Sequence, residues 1–130
     1  MRISLLLLFL IVSPTVWAQT QAEMNRQAYS AYQEIDKKLN DVYQQILVKY
    51  KLDTAFTQNL KVSQRIWIQF RDAELKAKFP ERESGVYGSI HPTCRAFYLK
   101  ELTEERINRL QIWIEGSEEV DICAGSVIKK

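Results

Sequence analysis

The chain has 130 residues, with 18 lysines and arginines against 16 aspartates and glutamates and a single histidine, for a formal net charge of +2. A balance this close to neutral offers no bulk attraction for nucleic acid, and no Lys/Arg cluster accompanies an aromatic-bearing sheet motif. The length suits one domain, and two well-separated cysteines with one histidine do not make a zinc site.

The charged start at Arg2 leads into an apolar run, Leu5 to Val12, followed by Pro14, Val16 and Ala18. This is the pattern of a secretory signal peptide, residues 1–18, cut between Ala18 and Gln19. The run falls short of the roughly 20 apolar residues that a membrane span requires. The mature chain, 19–130, is therefore expected to be periplasmic or secreted, with no membrane association once the signal is removed.

Thr20-Gln21-Ala22-Glu23 has the spacing of a capping box that would open a first helix. Met24, Ala28, Ala31 or Tyr32, Ile35, Leu39, Val42, Ile46 and Tyr50 then recur at three- and four-residue intervals, the signature of one long amphipathic helix. Asp53 is placed to cap a second helix after a very short turn, which makes the first two helices antiparallel neighbours. Phe56, Leu60, Ser63, Trp67, Phe70, Glu74 and Ala77 form its stripe, flanked by Ile66 and Ala73. Pro80 ends it by removing an amide and clashing with the preceding turn.

A long loop follows, with Gly85 and Gly88 inside Ser84-Gly85-Val86-Tyr87-Gly88-Ser89. Pro92 suits the first turn of a third helix, running to Glu115 and stopped by Gly116. Ala96, Phe97, Leu99, Leu102, Ile107, Leu110, Trp113 and Ile114 are its candidate core residues. The expected architecture is all-α, a small antiparallel bundle of three long helices.

An oxidising compartment favours a disulfide between Cys94 and Cys123, a clasp contributing about 3.5 kcal/mol in the chain-entropy picture. Reach constrains it. A straight helix from Cys94 to Glu115 rises about 31 Å, while the tail back to Cys123 extends at most about 28 Å. Bonded cysteines need Cα atoms within about 7 Å. Either the tail runs back along the helix as an extended strap, or the helix breaks near Leu102-Thr103, giving four shorter helices.

No catalytic constellation stands out. A His91–Cys94 pair would lose its thiol to oxidation and lacks an orienting third group. Glu104-Glu105 and Glu118-Glu119 are adjacent and point apart on a helix. Phosphate-cradling, calcium-loop and HExxH motifs are missing. A non-enzymatic protein without catalytic residues, metal or cofactor is the expectation.

Met24-Asn25, Asp36, Leu39-Asn40 and Tyr43, followed by Gln64-Arg65, Trp67 and Arg71-Asp72-Ala73-Glu74, and then Cys94, Thr103, Arg106 and Leu110, give the chain its family likeness. In these residues it resembles the LprI-like family of small exported bacterial proteins, named for a lysozyme inhibitor. The resemblance implies a small helical domain, secreted or periplasmic, often with two disulfides. Gln27 and Leu75 stand where the family usually has cysteines, so one bridge would be lost and Cys94–Cys123 would be the survivor.

Read physically, the polar part of this signature is architectural. Asp36 and Asn40 share a helix face, Arg71 lies seven residues beyond Gln64, and an antiparallel pair could set Asp36 or Asn40 against Arg71, with Asp72 beside it. Such a network of Asp36, Asn40, Gln64, Arg71 and Asp72 would select register. Its alternative role is a recognition patch edged by Tyr43 and Trp67.

Two functions compete. The first is an exported binding protein that inhibits lysozyme, using Ser84, Gly85 and Tyr87 as a probe loop: glycine allows a tight tip and tyrosine an amphipathic anchor. The second is a structural or protein-interaction module of the bacterial cell envelope. The partner is lysozyme or another envelope protein, and the chain is a monomer or homodimer.

Overall fold

A computed structural model describes the backbone of residues 15–130 and the side chains from Thr20 onward. Three helices follow one another: α1 (Thr15–Lys49), α2 (Thr54–Lys78) and α3 (His91–Glu115). Among the described residues no strand forms, only an isolated bridge between Ser117 and Lys129. The predicted signal falls outside the described residues up to residue 14, and Thr15 to Ala18 form the first turn of α1. No helix among the described residues is long and apolar enough to cross a membrane.

The chain runs up, down and up. Near the start of α1 the Thr93 hydroxyl donates to Asn25 Oδ1 (2.7 Å), and at its end Lys49 Nζ donates to the Ile114 carbonyl (2.7 Å). These two contacts make α1 and α3 parallel. α2 runs opposite to both, pairing Arg71 with Asp36 on α1 and Glu74 with Tyr98 on α3.

α1 and α3 make the closest packing. Small side chains explain it: one turn beyond the Asn25–Thr93 contact, Ala28 and Ala96 are both buried. Toward the other end the core thickens around Leu39, Val42, Ile46 and Tyr50 from α1, Leu60 from α2, and Ile107 and Leu110 from α3. Ile46 and Leu110 are fully buried. Each such side chain contributes about 1.5–3 kcal/mol relative to exposure.

The helix ends follow local chemistry. Asp53 accepts the Phe56 amide (2.9 Å), satisfying a donor that the first turn of α2 cannot pair internally. α2 stops at Lys78, two residues before Pro80, and α3 stops at Gly116, whose φ of 83° lies in the left-handed region.

Four expectations are corrected. The Thr20–Glu23 capping box does not form, because α1 begins at Thr15 and both residues lie inside it; Glu23 instead pairs with Arg26 and accepts from Gln27 (3.0 Å). The third helix does not break at Leu102-Thr103. Thr103 is fully buried, and its hydroxyl donates to the Leu99 carbonyl (2.7 Å), so it is satisfied within the helix and caps nothing.

The Cys94–Cys123 disulfide is absent, and both thiols are free. With α3 continuous, a bridge required the tail to return along it. Instead the tail turns on itself: the Ser117 amide donates to the Ile128 carbonyl (3.0 Å), the Lys130 amide to the Ser117 carbonyl (2.9 Å), and the Ile128 amide to the Tyr50 hydroxyl (3.0 Å). Cys123 sits exposed on this fold, at the far end of α3 from Cys94.

Finally, Ile66, Phe70 and Phe97, expected in the core, are exposed. α2 turns Leu60, Gln64 and Leu75 inward, which puts Val62, Ile66 and Phe70 on its outer side.

Candidate functional site

Two features stand out on the bundle: a groove between α1 and α2 at mid-height, and a loop at one end. The short turn after Tyr50 fixes the antiparallel register, so Asp36, Leu39, Asn40 and Tyr43 of α1 face Gln64, Trp67, Ile68 and Arg71 of α2 across a groove of about 260 Å³.

Arg71 anchors this face. Its Nη1 donates to Asp36 Oδ1 (3.2 Å), while Nε and Nη2 both donate to Asp72 Oδ1 (3.0 and 2.9 Å). The Arg71 side chain is only 13% exposed against 50% for Asp36. The guanidinium also lies 5.4 Å from the Trp67 ring centroid. Gln64 turns elsewhere: its Oε1 accepts from Arg106 Nε (3.0 Å), and Arg106 Nη2 reaches Ser63 Oγ (3.1 Å). Arg106 lies 5.9 Å from the same indole, and its burial lowers its pKa. Two guanidinium groups from different helices thus converge on Trp67.

Of the five residues predicted to form the polar network, Asp36, Arg71 and Asp72 are brought into contact, Gln64 is engaged by Arg106, and Asn40 stands in the groove with no hydrogen bond to any of them. Arg106 carried the family likeness, but nothing local in the sequence signalled its reach across to Gln64. Tyr43 sits at the rim, where burial raises its phenol pKa and the nearby Arg65 charge partly opposes the rise. Burial likewise raises Tyr32, against the pull of Arg71.

The loop between α2 and α3 is a structured element. Tyr87 donates its hydroxyl to the Pro80 carbonyl (2.7 Å), and its ring lies 4.3 Å from that of His91 and 5.9 Å from that of Phe79. His91 Nε2 is buried without a hydrogen-bond partner among the described residues. This aromatic base floors a cleft of about 410 Å³, edged by Glu81, Arg82 and Arg95. Ser84 and Gly85 are exposed, as is Val86, at 62%. The predicted anchor Tyr87 is therefore half-buried and braces the loop, while Val86, which lies within the predicted probe loop but has no predicted role of its own, offers the exposed apolar side chain.

The loop is also tied to α1, because Asn25 Nδ2 donates to the Ser89 carbonyl (3.3 Å). Residues 15–110 match the family model described as Lysozyme inhibitor LprI. No curated protein matches the chain, and no solved structure does.

Proposed function

Since the chain belongs to the LprI lysozyme-inhibitor family, we propose that it is an exported, non-enzymatic binding protein that obstructs a lysozyme-type muramidase with the loop between α2 and α3. The supporting observation is the braced loop: Val86 is exposed beside Ser84 and Gly85, while Tyr87 is fixed beneath by Pro80, Phe79 and His91. Bracing lowers the ordering cost that a flexible probe would incur on binding. Tyr87 is thus the brace of the probe, and Val86 is its contact.

The test is clearing of a cell-wall suspension by lysozymes of different classes, with and without stoichiometric protein. Slowed clearing that weakens about tenfold or more in Val86→Asp and Tyr87→Ala supports the reading. No slowing with any lysozyme and no association would sink it. Inhibition that survives both substitutions would move the contact off the loop.

A second reading, an interaction module of the cell envelope, is favoured by one observation. Val62, Ile66 and Phe70 recur every four residues along the outer side of α2 and are all exposed. That stripe suits association with another protein or a second copy of the chain. Sedimentation of the wild type and of Phe70→Glu distinguishes a self-associating chain from a monomer.

A further inference from the structure

The groove between α1 and α2 holds a set of polar groups that the fold leaves unused. Gln64 is 9% exposed and lines the groove, yet only its Oε1 is bonded, to Arg106; its Nε2 donates to nothing among the described residues. The Trp67 indole N–H, the Tyr43 hydroxyl and both ends of the Asn40 amide are likewise without hydrogen-bond partners there, and all three residues line the same groove. These groups are open to water rather than sealed in the core, and a ligand lying in the groove would replace that water with hydrogen bonds to several side chains at once.

The chemistry of the lining narrows the ligand. Arg71 is already committed to Asp36 and Asp72, so no free cation faces the groove to hold a phosphate or carboxylate. Asp36 is the single carboxylate in the lining, too little for a metal ion. What remains is neutral and mixed: donors at Gln64 and Trp67, groups that both donate and accept at Asn40 and Tyr43, and an apolar wall from Leu39 and Ile68. Hydroxyls that give and take hydrogen bonds, with an amide and a methyl beside them, complement this set. The groove spans the two helical turns from Asp36 to Tyr43, about 10 Å, which suits one or two sugar rings and only three residues of extended peptide.

The geometry points to a saccharide subsite between α1 and α2, read by Asn40, Tyr43, Gln64 and Trp67 and suited to a 2-acetamido sugar whose methyl packs on Leu39 and Ile68. It lies at mid-bundle, away from the loop at the end, and stands independently of the inhibitory reading.

The test is a titration of the full chain with N,N′-diacetylchitobiose, followed by NMR at the assigned indole N–H of Trp67. Cellobiose, which lacks the acetamido groups, and trialanine amide serve as comparisons. The expected result is a saturable shift at Trp67, about tenfold weaker with cellobiose and about tenfold weaker in Asn40→Ala, in line with loss of a hydrogen bond. Asn40 is exposed and unbonded, so this variant keeps the fold, and Tyr43→Phe provides a second, hydroxyl-only probe. Val86→Asp should bind the disaccharide like the wild type. No shift at the solubility limit, equal binding by Asn40→Ala and Tyr43→Phe, or a stronger response to the tripeptide than to either sugar would overturn the assignment.

Discussion

Arg106 on α3 and Gln64 on α2 are joined by a 3.0 Å hydrogen bond from Nε to Oε1, and this contact fixes the height at which the two helices meet. Gln64 is nearly buried, so removing its donor strands an acceptor away from water. Arg106→Ala is expected to lower unfolding stability by about 1–3 kcal/mol. Urea unfolding measures it, and a loss under about 0.5 kcal/mol would show that the contact is decorative.

Packing predicts an unequal pair. Leu110 is fully buried in the seam between α1 and α3, whereas Phe70 projects outward from α2. Leu110→Ala should cost about 2–5 kcal/mol, while Phe70→Ala should stay within about 0.5 kcal/mol. Comparable losses in urea would mean that the outer side of α2 is covered by something, and sedimentation would then reveal a self-associated species.

Both thiols should react with maleimide in the native protein without reductant, Cys123 quickly and Cys94 more slowly, because Cys123 is exposed and Cys94 only partly so. Mass spectrometry would then show two labels per chain. A product lighter by two hydrogens and refusing label would restore the disulfide and require the tail to leave Tyr50.

Gly116→Ala should loosen the tail. A Cβ there would lie 2.7 Å from the Ile128 carbonyl oxygen, and the φ of 83° is strained for alanine. The expected cost is about 1 kcal/mol or more. Hydrogen exchange at the amides of Ser117 and Ile128 should accelerate, and unchanged protection there would contradict the described tail.

Stability should fall at alkaline pH. Burial raises the phenol pKa values of Tyr32, Tyr43 and Tyr98 above the ordinary 10.0, and at Tyr98 the Glu74 acceptor adds to the rise. The folded chain therefore holds these protons more tightly than the unfolded one. Their contribution is fully present below the unfolded value and is lost as pH rises through the folded values. Urea midpoints from about pH 9 to about pH 11 should decline, and less steeply in Tyr98→Phe. A flat profile would be inconsistent with those environments.

Much of the fold was legible because the decisive signals are local. The α1 repeat from Leu39 to Tyr50, the Asp53 cap, Pro80 and Gly116 each act within a turn or two of their own position. The facing of Asp36 and Arg71 could be anticipated because so short a turn leaves little choice of register. α2 was harder: it is apolar on two sides, and periodicity cannot say whether Leu60 or Ile66 turns inward.

Thr103 misled for a related reason. A threonine signals a cap when its hydroxyl seeks an amide, but here it bonds back to Leu99, which only burial in a continuous helix explains. The course of the tail and the pairing of Arg106 with Gln64 depend on partners distant in sequence and carry no local mark. The groove followed the same pattern: the residues flagged for family likeness line it, but the unused amides of Asn40 and Gln64 emerge only in three dimensions.

Because α1 and α3 run side by side in the same direction, the two poles of the molecule are chemically unlike. The opening turns of α1 lie against the braced loop through Asn25 and Ser89, whereas the final residues are fastened to Tyr50 at the opposite pole. An affinity handle or immobilising linker fused at Gln19, the start expected once residues 1–18 are removed, would lie at the pole that carries Val86, and the same handle placed after Lys130 would leave it clear. Surface-capture assays on this protein should therefore depend on which terminus is attached.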